Sequence, residues 1–166
     1  MRTLSLLLVA ASLASLPGCT SNHPYRTGTI ERGEEGQVAK GLLAEPATFD
    51  GLPCAGWVEF YPDGHLRSAD LAVDFTVAGH VLPQGSRLFL REGGTLERCW
   101  LSKDTRIGEV ICAGGPAKIA TEFYPDGNLE SAFVRDDQVV LGAKPASAML
   151  RRVRFDEYGK VLPEPT

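Results

Sequence analysis

The sequence Phe60-Tyr61-Pro62-Asp63-Gly64 occurs a second time, without change, as Phe123-Tyr124-Pro125-Asp126-Gly127. Proline fixes φ at about −65° in the first central position of a turn, and glycine adopts the left-handed conformation that lets the chain re-enter a strand. Aromatic residues precede each turn, and Leu66 and Leu129 follow the two glycines, so both arms carry apolar side chains to bury. The pentapeptide therefore predicts the tip of a β-hairpin.

Alignment of the chain to itself extends this tip to five units. The turn glycines recur at intervals of 28, 30, 33 and 32 residues, as Gly36, Gly64, Gly94, Gly127 and Gly159. Each unit is predicted to hold about three short strands, with successive strands paired to their neighbours. No stretch after the first 19 residues keeps a helical period for three turns. We therefore predict an all-β domain at residues 34–162, made of repeated antiparallel β-hairpins that form a meander sheet or an open barrel.

The units resemble the variant MORN-type repeats of bacteria, including antitoxin-like proteins of toxin–antitoxin systems, which are built around Tyr/Phe-x-x-Asn/Asp-Gly-x-Leu. The segments 60–66 and 123–129 match this motif, and the resemblance covers about residues 34–162. Such repeats also occur in uncharacterised bacterial lipoproteins. The resemblance implies a β-hairpin scaffold that associates with proteins or membranes and has no catalytic role.

The first 18 residues have the three parts of a secretory signal peptide, which we expect to be helical. A basic residue is followed by an apolar run and then by small residues at the exit. The ending Leu16-Pro17-Gly18-Cys19 resembles the lipobox of bacterial lipoproteins. That resemblance implies cleavage between Gly18 and Cys19, diacylglyceryl transfer to the Cys19 thiol and acylation of the new amino group, for example with palmitate. The alternative is an ordinary signal peptide that releases a soluble protein.

Two or more acyl chains hold a protein stably at a membrane. In lipoproteins of Gram-negative bacteria, the absence of Asp after the lipidated cysteine, here replaced by Thr20, implies sorting to the outer membrane. We therefore expect a protein that is lipid-anchored in the bacterial cell envelope and faces the periplasm. Residues 19–33 are polar and lack apolar periodicity, which predicts a flexible tether, and residues 163–166 are a short tail.

The charge and the titratable residues argue against several functions. A formal net charge of −4 disfavours nucleic acid, because phosphate binding needs clustered Lys and Arg. No Cys/His spacing indicates zinc, and a single Asp at each tip does not supply the several oxygen ligands that calcium needs. His65 and His80 accompany no serine or cysteine in a nucleophile motif. We therefore expect no metal, no cofactor and no enzymatic activity. An envelope hydrolase is kept as the third alternative for the function.

The chain beyond the leader contains three cysteines, Cys54, Cys99 and Cys112, an odd number. Cys99 and Cys112 could meet across neighbouring strands and form a disulfide. The alternative is three buried, unpaired thiols.

Four aromatic residues could form a platform for sugars: Trp57, Tyr61, Trp100 and Tyr124. Tyr61 and Tyr124 are equivalent in the repeat, so both would be exposed together; the alternative is packing in the core or at the turns. The sequence therefore favours an envelope scaffold with a structural or protein-interaction role and an unidentified envelope protein as partner. A periplasmic module that binds a glycan or another small ligand ranks second.

Overall fold

Most of the chain forms one antiparallel sheet. The computed structural model describes residues 24–135 and 150–163, and every regular element within them is a β-strand. The strands are β1 (Glu31–Arg32), β2 (Val38–Leu42), β3 (Ala47–Phe49), β4 (Leu52–Phe60), β5 (Leu66–Leu71), β6 (Phe75–Val77), β7 (His80–Leu82), β8 (Arg87–Leu90), β9 (Leu96–Trp100), β10 (Thr105–Ile107), β11 (Val110–Cys112), β12 (Ala120–Phe123), β13 (Leu129–Arg135) and β14 (Leu150–Arg154). The predicted all-β fold class is confirmed. The signal segment 1–18 and Cys19 lie outside the described residues.

The main sheet is a meander in the order β1-β2-β4-β5-β8-β9-β12-β13-β14, with β3 paired to β4. Two further pairs, β6–β7 and β10–β11, form separate hairpins. Because these hairpins leave the sheet, β5 pairs with β8 and β9 pairs with β12. The prediction that each strand pairs with the next was therefore wrong for these units, which contain four strands and not three.

The five repeated glycines lie at five equivalent bends. Gly64 donates its N–H to the Tyr61 carbonyl at 2.9 Å, and Tyr61 donates to the His65 carbonyl at 2.8 Å. The same pair of bonds closes the four other bends. All five glycines have φ from 75° to 90°, a conformation that side chains disfavour. The register shifts beside these bends, for example between Glu59 and Phe60, as expected for a turn that ends in a glycine bulge.

The core lies between the sheet and the small hairpins. Successive residues of a strand point to opposite faces, so cross-strand partners share a face. One row of such partners runs across five strands and is buried throughout, at Val58, Ala69, Leu88, Cys99 and Thr121. The hairpin residues Leu82, Ile107, Val110 and Cys112 belong to the same core cluster. We call this side of the sheet the inner face and the opposite side the outer face.

Tyrosines at the bends bind the next unit along the sheet. The Tyr61 hydroxyl donates to the Leu90 carbonyl at 2.7 Å, and the Tyr124 hydroxyl donates to the Phe155 carbonyl at 2.8 Å. Each acceptor directly precedes the bend of the following unit. These contacts connect residues 29 and 31 positions apart, so they stabilise the stacking of neighbouring units.

Arg91 occupies the tyrosine position in the unit between these two. Its guanidinium donates to the Phe123 carbonyl at 2.7 Å and to the Leu96 carbonyl at 2.6 Å. An equivalent contact therefore connects each unit to the next from the second unit to the fifth. The repeat alignment did not predict the contact of Arg91, because arginine and tyrosine are chemically different side chains. They have in common only their length and a hydrogen-bond donor at the end.

Tyr61→Phe and Tyr124→Phe are each expected to lower the free energy of unfolding by about 0.5–1.5 kcal/mol. The ring remains, but the acceptor carbonyl loses its partner. Urea denaturation measures the change. Tyr158→Phe is the control, because the Tyr158 side chain is 86% exposed, and it should leave stability unchanged. If neither of the first two variants differed from this control, the contacts would not stabilise the fold.

Asp104 connects the hairpin β10–β11 to the sheet. Its Oδ2 accepts a hydrogen bond from Arg135 Nε at 2.7 Å, and its Oδ1 accepts one from the Gly114 N–H at 3.0 Å. These bonds, with the Arg135 contact first, hold the pKa of Asp104 below its ordinary value. The carboxylate therefore stabilises the fold above the pKa of the unfolded chain, and this contribution is lost as the pH falls through the lower pKa of the folded state.

Asp104→Asn is expected to lower the melting temperature at pH 7, and its effect should shrink as the pH falls towards about 2, through the lowered pKa of the folded state. The Asp104 side chain is 34% exposed, so the change should stay below about 1 kcal/mol. Thermal unfolding at both pH values measures it. Asp74→Asn is the control, since the equivalent Asp74 accepts only the Gln84 N–H among the described contacts. The same loss at both pH values would contradict the electrostatic origin.

Candidate functional site

The outer face of the sheet carries charged and aromatic side chains. One row of cross-strand partners on this face consists of Lys40, Glu59, Ser68, Phe89, Arg98 and Glu122. On the described strands of this face, the basic residues Lys40, Arg87, Arg98, Arg152 and Arg154 lie among the acidic residues Glu31, Glu59, Asp70 and Glu122. This face thus carries charges of both signs, and the basic residues Arg98 and Arg154 are exposed on it.

A cleft of about 560 Å³ opens on the outer face between Trp57 and Trp100. Its floor comes from a second row of partners, in which Asp70 pairs with Arg87 and Arg87 pairs with Trp100. Lys118, from the loop before β12, lies on the far side. The cleft therefore combines two indole rings, a carboxylate, a guanidinium and an ammonium group.

A bulge in β4 brings Trp57 to this cleft. Ala55 pairs with Asp70 and Val58 pairs with the adjacent Ala69, so Gly56 and Trp57 have no partners on β5. Gly56 has a φ of 65°, and a Cβ atom there would lie 3.0 Å from Asp70 Oδ2. Glycine is therefore needed at this position both for the backbone conformation and for the close approach of Asp70.

Asp70 and Arg87 form the polar centre of the cleft. Arg87 donates to Asp70 Oδ1 at 3.3 Å, to Glu59 Oε1 at 3.4 Å and to Ser68 Oγ at 3.2 Å. Burial raises the pKa of Asp70, and the charge of Arg87 opposes that shift. The three contacts of Arg87 are long for hydrogen bonds to charged groups. Arg87 and Asp70 can therefore also form hydrogen bonds with a ligand.

Lys118 has a left-handed backbone, with a φ of 52°, which is unusual for a residue with a side chain. Its Nζ atom lies 5.4 Å from the centroid of the Trp100 ring. A cation at this distance from an indole ring is attracted electrostatically. Within residues 24–135 and 150–163, Lys118 forms no ion pair shorter than 4 Å.

Of the four aromatic residues that could form a platform, two lie together in this cleft. Trp57 and Trp100 line the same cleft and are half-buried. Tyr61 and Tyr124 instead make the hydrogen bonds between units and are also half-buried. The two tyrosines thus follow the alternative of packing at the turns, because their hydroxyls bind backbone carbonyls of the neighbouring unit.

The possible disulfide between Cys99 and Cys112 is not formed, and the structure instead has the alternative of three buried, unpaired thiols at Cys54, Cys99 and Cys112. Cys99 lies opposite Leu88 and Thr121 in the main sheet, whereas Cys112 belongs to the separate hairpin β10–β11. Burial raises the pKa of Cys54 to about 11, that of Cys112 to about 12 and that of Cys99 further still. The thiols are therefore protonated at neutral pH and poor nucleophiles.

The two described histidines lie in other clefts. His65 Nδ1 is 3.5 Å from Asp50 Oδ2 beside a cleft of about 430 Å³, and the described residues that line it include no serine, threonine or cysteine. His80 Nε2 lies 3.0 Å from the Gly127 carbonyl, which can only accept, so this nitrogen carries the proton. His80 borders a cleft of about 570 Å³, where Asn128 is bound to Asp126 and to the Glu157 carbonyl. The imidazoles of both histidines and the Asn128 side chain thus have partners within the protein.

Within the described part of the chain, no group of three or more His, Cys, Asp or Glu side chains is placed to hold a metal ion. Nor does a helix long and apolar enough to cross a membrane occur among those residues. Comparison of the chain with protein families, curated proteins and solved structures gave no match.

Sequence reasoning missed Asp70, Arg87 and Lys118 as parts of the site. The alternation in β5 could have placed Asp70 on the outer face, since Ala69 and Leu71 are apolar. The partners of Asp70 depend on strand register across the intervening hairpin. Lys118 lies in a loop and carries no local signal.

Proposed function

We propose that this protein is a lipid-anchored component of the bacterial cell envelope whose β-repeat scaffold binds an acidic partner protein through its outer face. The outer face carries this proposal, because it presents half-buried aromatic rings among exposed basic side chains. Aromatic and arginine side chains are enriched at protein interfaces. The lipobox-like sequence at Cys19 supports the anchor, which would hold the protein beside envelope partners.

The exposed arginines suggest the sign of the partner's charge. Arg98 lies over the Phe89 ring at 4.6 Å, and both Arg98 and Arg154 are exposed. Both belong to the same row across the sheet, since Arg154 pairs with Ser131. An acidic surface that meets this row would gain electrostatic attraction and faster association.

The anchor is tested by membrane fractionation of the wild type and Cys19→Ala. We expect the wild type in the membrane fraction and the variant in the soluble fraction. Equal solubility of the two proteins would exclude the anchor.

The interaction surface is tested by crosslinking and affinity capture from envelope extracts. The double variant Arg98→Glu/Arg154→Glu should lose partners that the wild type retains. Lys103→Glu/Arg106→Glu is the matched control, because it makes the same charge change at exposed positions away from the outer face. Arg106 lies on β10, and Lys103 lies just before this strand. A partner set that survives the first variant as well as the control would exclude the outer face as the interface.

Glycan binding is the second candidate function, and the shared cleft of Trp57 and Trp100 is the observation that favours it. Indole rings pack against the C–H faces of sugar rings, and the charged floor offers donors and acceptors for hydroxyl groups. This candidate requires the cleft alone and not the whole outer face.

A further inference from the structure

We propose that the cleft between Trp57 and Trp100 binds a saccharide that carries a carboxylate, with Lys118 as the residue that selects the charge. This inference rests on the glycan-binding candidate and names its ligand class. It depends on the shape of the cleft, the state of each charged group in it and the conformation of Lys118.

The shape fits a small number of sugar units. A volume of about 560 Å³ falls within the ordinary range of small-molecule sites, which is about 300–1,000 Å³. Gly115 lines this cleft with a φ of 117°, and a Cβ atom built on it would meet no atom within 4 Å. The lack of a side chain at Gly115 thus leaves open space beside the two indole rings.

The two cations of the cleft, Arg87 and Lys118, differ in how many carboxylates they contact. The guanidinium of Arg87 is shared among Asp70, Glu59 and Ser68, and its side chain is only 17% exposed. Asp70 is partly neutralised by that contact and can accept hydrogen bonds from sugar hydroxyls. Burial raises the pKa of Asp70, and the charge of Lys118 opposes that shift from a distance. Lys118 nevertheless has no carboxylate within 4 Å in the described part of the chain, so its ammonium group can still contact an anion.

The backbone of Lys118 supports a role for this ammonium. A left-handed conformation is unfavourable for a residue with a side chain, and Lys118 adopts it with a φ of 52°. Strained residues of this kind cluster at ligand sites, where the conformation positions a side chain. Here the Lys118 ammonium lies 5.4 Å from the centroid of the Trp100 ring, at the edge of the cleft that both residues line.

A single ammonium matches a carboxylate better than a phosphate. A phosphate group carries more negative charge than a carboxylate, and phosphate-containing motifs are commonly recognised by several basic side chains together. Arg87 is held on the floor by two carboxylates, so one cation remains for the ligand. A sugar ring with one carboxylate and free hydroxyls would use the indoles, Asp70 and Lys118 together.

The test uses the full-length protein in detergent and isothermal titration calorimetry. The probes are tetramers of galacturonate, mannuronate and hyaluronan, each compared with its carboxyl-reduced counterpart of the same linkage. We expect at least one acidic tetramer to bind about ten-fold more tightly than its reduced form, the gain from one charge-assisted contact in a partly exposed site. Trp100→Ala should abolish binding of both forms.

Lys118→Gln should bind the acidic tetramer and its carboxyl-reduced form with about equal affinity. Binding of the reduced form should persist. Lys40→Gln is the matched control, because Lys40 lies over the Trp57 ring at 5.1 Å but is paired with Glu59 at 3.6 Å. This variant should keep the preference. Circular dichroism of each variant checks the fold.

Equal affinity for acidic and reduced tetramers would overturn the carboxylate assignment and leave glycan binding intact. Binding of none of the six probes would overturn both the assignment and the glycan-binding candidate. Neither result bears on the protein-binding surface, which the arginine variants test separately.

Discussion

Phe123→Ala is expected to lower the free energy of unfolding by about 3–5 kcal/mol. The Phe123 side chain is completely buried, at the end of β12. Its ring lies 5.7 Å from the His80 ring, so it joins the sheet to the hairpin β6–β7. Truncation would leave a cavity at that junction, and the surrounding strands can close it only in part.

Urea denaturation measures this loss, and Phe60→Ala is the matched control. Phe60 occupies the same position before the second bend, but it is only half-buried. It packs against Phe49 at a ring distance of 5.3 Å. We expect a smaller loss for this variant, and a loss as large as that of Phe123→Ala would contradict the central position of Phe123 in the core.

Gly127→Ala is expected to cost about 2–5 kcal/mol, from two separate effects. Gly127 has a φ of 90°, where a side chain costs about 1–2 kcal/mol. A Cβ atom at this position would also lie 2.9 Å from the Cβ atom of Ala78 in the turn between β6 and β7. Crowding of this kind typically adds about 1–3 kcal/mol.

Gly64→Ala separates the two effects. Gly64 has a φ of 88°, yet a Cβ atom at this position would meet nothing within 4 Å. This variant should therefore lose only the conformational part, about 1–2 kcal/mol. The addition of Ala78→Gly to Gly127→Ala should recover part of the larger loss. Equal losses for Gly64→Ala and Gly127→Ala in denaturation curves would show that the contact with Ala78 does not matter.

The local features of this fold could be predicted from the sequence because they depend on neighbouring residues. The bend at Gly64 is encoded by Pro62, Asp63 and the glycine itself, whose side chains and backbone set the turn. The alternation of the apolar Ala69 and Leu71 with the polar Ser68 and Asp70 is a local signal of the same kind, and both apolar residues are buried. Repetition of these signals was sufficient for the fold class.

Features that join distant residues could not be predicted in the same way. The hairpins β6–β7 and β10–β11 have turn signals like those of the sheet, so nothing local says that they leave it. Tyr61 does not line the cleft with Trp57, because its hydroxyl donates a hydrogen bond to the Leu90 carbonyl, which is 29 residues away in the chain. Cys99 and Cys112 both face the core, but one belongs to the sheet and the other to a hairpin, so they are not cross-strand neighbours.

By itself, the sequence determined the all-β class, the five bends and the positions of their glycines, because backbone conformation at a turn depends on a few adjacent residues. Only the tertiary structure decided which side chains meet on the outer face. Trp57, Asp70 and Trp100 come from three different strands, and the bulge at Gly56 and the register between β5, β8 and β9 bring them into one cleft. Register is set by how whole strands bury their inner faces, which no short stretch of sequence encodes.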